Sequence, residues 1–383
     1  MADTKIYKAS TTAPVNIAVV KYWGKRDPKL NLPTNSSLSV TLSQADLRTL
    51  TTATCSASYQ GEDSLTLNGE PSDITGARTQ ACLRELRARR AALEAENPSL
   101  PKLSTMPLRI VSENNFPTAA GLASSAAGFA ALVRAIADLY ELPSSPTELS
   151  LIARQGSGSA CRSLFGGYVA WRGGEQPDGL DSKAVEVAPA SHWPNMRALI
   201  LVVSAAKKGV SSTSGMQQTV ATSDLFKGRV ANVVPAHMEK MEAAIRDRDF
   251  ASFAEVTMKD SNSFHACCAD TYPPIYYMND VSRAAVRAVE AINAAAGKTV
   301  AAYTFDAGPN AVVYYLEENS GPVVGTFYNL LQGTDGWKDG AKAYASNAVQ
   351  LDEAITSLIK GGVSRIIQTG VGEGPIKTDQ HLA

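Results

Sequence analysis

The sequence predicts an α+β protein of two domains, and three observations carry that expectation. Its 383 residues exceed what one ordinary hydrophobic core accommodates. Segments of strand and of helical periodicity follow one another in mixed order in both halves, where a doubly wound parallel sheet would alternate them strictly. A polar, glycine-rich loop over 173–179 precedes a boundary placed near 188–195, giving one domain over 1–190 and another over 191–383.

In the first half, residues 6–21 read as a strand entering the core, with β-branched residues around Ala13-Pro14-Val15-Asn16-Ile17-Ala18. An aromatic and cationic cluster follows, Lys21-Tyr22-Trp23-Gly24-Lys25-Arg26. After a turn over 31–37 come strands over 38–42, 47–57 and 64–67, the last closing on the hairpin signal Asn68-Gly69. Residues 74–96 form a helix on which Arg78, Arg84, Arg87, Arg89 and Arg90 are interleaved with acids, so it reads as a solvated face rather than a nucleic-acid surface. A strand over 108–111, helices over 126–140 and 147–154, a small-residue turn over 155–163 and a strand over 167–171 complete this half.

In the second half, strands are expected over 199–204, 299–305, 311–316 and 363–368. Helices are expected over 230–246, 250–263, 281–295 and 348–358, the third capped by Gly297. Residues 207–213 read as a polar loop, and 370–374 as a glycine tail.

A hydrophobic content of 44% with 19% charged residues is that of a folded globular chain. Lys plus Arg (36) balances Asp plus Glu (37), which argues against bulk attraction to nucleic acid or to an anionic membrane. The longest apolar run, 199–203, suits a buried strand, and the N-terminus lacks a signal-peptide core, so a cytoplasmic protein is expected. Cys55, Cys82, Cys161, Cys267 and Cys268 are odd in number and show no Cys-x-x-Cys spacing, so reduced and mostly buried thiols are expected. The four histidines are scattered, and no protein-borne metal site is expected.

The most informative stretch runs from Asn115 to Gly128, a small-residue turn between a strand and a helix. Free backbone N–H groups and the positive end of a helix dipole would converge there on an anion, and the hydroxyls of Ser124 and Ser125 could approach it closely. The same composition also suits close packing of helix on sheet. The spacing is neither that of a P-loop nor the dinucleotide fingerprint.

Other candidates are single residues. Asp306, in Asp306-Ala307-Gly308-Pro309-Asn310, reads as a turn residue or as a carboxylate at a strand end able to take an alcohol's proton. Lys21 reads as its electrostatic partner or as a surface lysine. Arg162 offers a planar fork for a carboxylate, or a brace between domains. Ser157 and Ser159 add hydroxyls beside it, and Ser211, Ser212 and Thr213 after Lys207-Lys208-Gly209 form a phosphate contact or a mobile loop.

Pro117-x-x-x-Gly121-Leu122-x-Ser124-Ser125-Ala126 resembles the ATP-phosphate motif of the GHMP kinase superfamily, and within it the mevalonate diphosphate decarboxylase family. The likeness extends in register through 13–18, 21–26, 156–167, 210–213, 306–310 and 371–375. It implies a GHMP-kinase fold, with an N-terminal domain like ribosomal protein S5 domain 2, a C-terminal domain of the GHMP-kinase C-terminal type, and an active site in the cleft between them.

It further implies ATP-dependent decarboxylation of mevalonate 5-diphosphate to isopentenyl diphosphate, with Mg2+ accompanying the polyphosphate and a homodimer as the usual assembly. By the same resemblance Asp306, Lys21, Arg162 and Ser124 are catalytic. Asn16, Tyr22, Lys25, Ser157, Ser159, Arg162, Ser212 and Thr213 hold the substrate, and Pro117, Ala119, Ala120, Gly121, Leu122, Ala123, Ser124 and Ser125 hold ATP. Two rivals stay open: a superfamily kinase such as phosphomevalonate kinase, which phosphorylates and stops, and a metabolite sensor that kept the fold and lost turnover.

Overall fold

The computed structural model describes residues 5–116, 124–203 and 209–382, Ser124 by its main chain alone. Pro117–Ala123, read from the sequence as part of a small-residue turn, and Lys207-Lys208 lie outside the described residues.

A six-stranded sheet runs in the order Ile376–Thr378, Tyr7–Pro14, Arg48–Cys55, Leu108–Asn114, Ser64–Leu67, Glu70–Ser72. Every neighbouring pair is antiparallel except Ser64–Leu67 with Leu108–Asn114. The helices Ala77–Glu96, Ser124–Leu139 and Pro146–Gly156 share one apolar core with it, built from Ala13, Ala53, Ile110, Leu83, Val133 and Ile152 among others. Asn68 and Gly69, at φ 50° and 83°, make the predicted two-residue hairpin turn.

A four-stranded sheet of Ala184–Ala188, Tyr168–Trp171, Ser37–Thr41 and Asn16–Val20 faces a second one of Ala301–Thr304, Ala311–Leu316, Met196–Val203 and Val363–Gly370. Between them, Ile17, Val40, Ala198, Ile200 and Val312 pack with Met241 and Phe253 of the helices Val234–Asp247 and Phe250–Asp270. Leu199 and Leu201 point to the opposite face of their strand, where the helices Asp280–Ala296, Ser320–Leu330 and Glu353–Gly362 cover them. A strand buried on both faces reads as a continuous apolar run, which is why 199–203 was legible. All five cysteines are free and buried, and no described helix is long and apolar enough to cross a membrane.

Several expected elements differ. The strand expected over 6–21 breaks at Val15, so that Tyr7–Pro14 and Asn16–Val20 belong to different sheets. The small-residue turn over 155–163 is helical: Gly158–Leu164 is a 3-10 helix. The loop expected to reach 213 ends at Ser211, whose side chain accepts from Ser214 N–H and caps the helix Ser212–Thr222. The helix expected over 348–358 lies at Glu353–Gly362, started by the Asp352 cap. Ser320–Leu330 and the strand Ile376–Thr378 carried too little periodicity to be predicted.

Candidate active site

Lys21 follows the Asn16–Val20 strand, and Asp306 stands two residues beyond the Ala301–Thr304 strand. The two strand ends meet, with Lys21 Nζ 2.7 Å from Asp306 Oδ1. The lysine side chain is 3% exposed and the aspartate 34%, so a fixed interior cation faces a carboxylate that keeps one side open. Asp306 also serves its turn, but through its main chain: Gly308 N–H donates to the Asp306 carbonyl at 2.7 Å. The carboxylate is left for Lys21.

Arg162 is held on the 3-10 helix Gly158–Leu164 and is 2% exposed. Its Nε donates to Asn16 Oδ1 at 3.3 Å and Ser39 Oγ at 3.1 Å, and Nη1 donates to Ser37 Oγ at 2.6 Å. Asn16 is fixed in turn, its Nδ2 donating to Ser163 Oγ at 2.7 Å and to the Ser159 carbonyl at 3.2 Å. Every one of these partners is neutral and lies in the first half of the chain, so the guanidinium does not brace one half against the other. Burial lowers the pKa of Arg162, opposed by Cys161, Asp306 and Tyr22. A buried cation dressed only with neutral acceptors favours an anion beside it.

A second group involves Tyr22. The Tyr22 ring packs on Trp171 with centroids 4.7 Å apart, and its hydroxyl is buried with no hydrogen-bond partner among the described residues. Burial raises the hydroxyl's pKa, Cys161 adds to the rise, and the charges of Arg162 and Arg78 oppose it. Arg78 Nη2 donates to Thr213 Oγ1 at 3.2 Å. Lys25 is pushed down to about 8, by burial first and by the Arg78 charge second. Two crowded cations, a threonine hydroxyl and an unmet phenol form a site suited to phosphate oxygens.

Ser157 Oγ lies 3.3 Å from Ser125 Oγ, which ties the end of the Pro146–Gly156 helix to the start of Ser124–Leu139. Ser159 meets the group through its carbonyl, and Ser212 opens a helix without a described side-chain contact to the others. Pro117, Ala119, Ala120, Gly121, Leu122 and Ala123, together with the Ser124 hydroxyl, lie outside the described residues.

Sequence reasoning missed Ser37, Ser39 and Ser163, which look like ordinary strand and turn serines, and the reach of Arg78 to Thr213 from an exposed helix position. It also missed His265, whose Nε2 is buried without a partner and whose pKa is pushed down to about 4, by burial first and then by Lys21. No local pattern marks such residues; only the tertiary approach does.

Magnesium, which the resemblance implies, finds no protein cage here: among the described residues no group of three His, Cys, Asp or Glu side chains could hold a metal ion. The cationic and hydroxyl-lined surfaces described above fit the oxygens of a phosphate chain instead, and Mg2+ fits as a companion of that chain.

Residues 13–184 match the family model of the diphosphomevalonate decarboxylase-like N-terminal domain, and residues 198–378 that of the mevalonate 5-diphosphate decarboxylase C-terminal domain. The diphosphomevalonate decarboxylase of Gibberella zeae is 75% identical over 383 residues, covering 100% of both chains. A crystal structure of a mevalonate 5-diphosphate decarboxylase, 57% identical, superposes with a TM-score of 0.93 and covers 98% of both chains. A solved structure of MDDEF in complex with MVAPP, AMPPCP and magnesium is 30% identical with a TM-score of 0.74, over 98% of this chain and 100% of that one. With both halves matched and a relative 75% identical over 383 residues, the chain belongs to the mevalonate 5-diphosphate decarboxylase family.

Proposed function

We propose that the chain catalyses the ATP-dependent decarboxylation of (R)-mevalonate 5-diphosphate to isopentenyl diphosphate, ADP, phosphate and carbon dioxide. The observation that carries this reading is the pairing of Asp306 with the buried Lys21 in electrostatic reach of the neutral-dressed Arg162. Asp306 receives the proton of the tertiary 3-hydroxyl, or aligns it, as the γ-phosphoryl passes to that oxygen. Lys21, 2.7 Å away, orients the carboxylate.

Once phosphorylated, the C3 oxygen leaves as phosphate with its bonding electrons, and electron deficiency develops at C3. The C1–C2 bond then breaks, its electrons form the C2–C3 double bond, and C1 departs as carbon dioxide. In this reading Arg162 and Asn16 hold the carboxylate, and Tyr22, Lys25, Ser157, Ser159, Ser212 and Thr213 serve the diphosphate. Pro117, Ala119, Ala120, Gly121, Leu122, Ala123, Ser124 and Ser125 take the nucleotide, on the strength of their sequence motif. Mg2+ neutralises polyphosphate charge when bound.

The same reading places a homodimer in the cytoplasm and divides the chain near residue 190, supported by family models that end at 184 and begin at 198. Incubation with ATP and carboxyl-labelled mevalonate 5-diphosphate tests it. Labelled carbon dioxide is expected in step with ADP; ADP without gas would mark a kinase, and neither product would mark a binding protein.

A further inference from the structure

The helix Phe250–Asp270 touches the main chain behind both members of the Lys21–Asp306 pair. Asp260 Oδ1 accepts the N–H of Lys21 at 2.7 Å, and Ser261 Oγ accepts the N–H of Phe305 at 3.1 Å. One turn on, the His265 ring stands edge-on to the Phe305 ring, with centroids 6.2 Å apart. Asp260 and Ser261 are adjacent and buried, 0% and 1% exposed.

Both amides need such partners. Lys21 comes after Val20, the last residue of its strand, and Phe305 after Thr304, so each N–H has just left a sheet and would be buried unpaired. Asp260 is itself fixed: Arg229 Nη2 lies 2.8 Å from Oδ1 and His237 Nδ1 2.8 Å from Oδ2. Arg229 Nη2 also reaches the Lys21 carbonyl at 3.4 Å, and Asn35 Nδ2 donates to that carbonyl at 3.0 Å. The Lys21 peptide is thus gripped on both sides. Buried ion pairs are poor sources of stability, so a network of this kind is better explained by the geometry it imposes.

We infer that Asp260 and Ser261 are positioning residues for phosphoryl transfer: neighbours on one helix, they set the two main-chain anchors from which Lys21 and Asp306 reach each other. A lysine stem has four rotatable bonds, so its ammonium goes where the anchor directs it. The inference rests on the proposed roles of Lys21 and Asp306, and the test separates the two.

Ser261→Ala and Ser261→Cys, the second slightly larger than serine and a far weaker acceptor, are compared with the parent protein in kcat, both KM values and Tm. Each is then repeated in an Asp306→Asn background. The single variants should lose kcat by about tenfold to a hundredfold with both KM values within about twofold, as expected for a small misplacement of reacting groups. In the Asp306→Asn background the further loss should be under about twofold, because the group being aligned is gone. Equal losses in both backgrounds, or an unchanged kcat in either folded single variant, would overturn the inference alone. A parent protein that forms ADP without carbon dioxide would overturn the decarboxylase reading and leave this inference standing, and one that forms neither would overturn both.

Discussion

Arg162 shows why an arginine stands where any cation would supply charge. Its three hydrogen bonds to Asn16, Ser39 and Ser37 use Nε and Nη1 together, a geometry that one ammonium cannot reproduce. Arg162→Lys should therefore leave buried serines and an asparagine poorly paired and cut kcat/KM by about a hundredfold or more. Steady-state kinetics showing a loss below about threefold would remove the fork from the reaction. Lys25 supplies a pH-dependent counterpart. With its pKa pushed down to about 8, it is charged at neutral pH and discharges above it, so KM for the diphosphate substrate should climb as pH passes through 8. Removing the repelling charge with Arg78→Met should move that limb to higher pH, and a pH profile of KM that stays in place would count against their coupling. Among single residues, Lys21, Asp306, Arg162 and Asn16 were legible because each polar group interrupts an apolar or small-residue setting in a motif with a known counterpart. Asp260, Arg229 and His265 were not, since they occupy helices whose periodicity explains them fully without any reference to Lys21 or Phe305.

Among the elements, the glycine tail was visible in sequence while its purpose was not. Gly372 links the end of the Ser37–Thr41 strand to Gly167: its N–H donates to the Thr41 carbonyl and Gly167 N–H donates to the Gly372 carbonyl, both at 2.9 Å. A Cβ on Gly372 would stand 2.5 Å from Ser43 Cα and 2.6 Å from the Leu42 carbonyl, backbone atoms with nowhere to go. Gly372→Ala is expected to cost about 1–3 kcal/mol by overpacking, read as a lower denaturant midpoint at unchanged slope. A midpoint equal to the parent's would mean that these segments can separate freely. The missed helices have related explanations. Ser212–Thr222 is rich in serine and threonine and lacks an apolar stripe, and Ser320–Leu330 carries two glycines and a proline. In the latter, Gly325 is required because a Cβ would lie 2.1 Å from the Tyr344 carbonyl, so close packing outweighs helix propensity.

For the whole molecule, the largest shared core joins Ile17 and Val40 from the first half to Ile200, Val312 and Phe253 from the second. Two lobes that share buried side chains should not unfold separately. Calorimetry is expected to give one transition whose calorimetric and van't Hoff enthalpies agree, whereas two resolved peaks would indicate independent cores. The α+β class was legible because antiparallel pairing leaves strands and helices in irregular order. The joining of the halves was not, because it depends on Val15 lying where the chain crosses from one sheet to the other and on Ile376–Thr378 returning to the first strand.

That return has a consequence for synthesis. Thr378 pairs with Ser10, so the outer edge of Tyr7–Pro14 stays open after it emerges until Ile376–Thr378 has been translated, roughly 20–70 s later at ribosomal speeds. During that interval an unpaired row of amides and carbonyls is offered to any neighbouring nascent chain, and a chaperone that shields strand edges would have its greatest effect there.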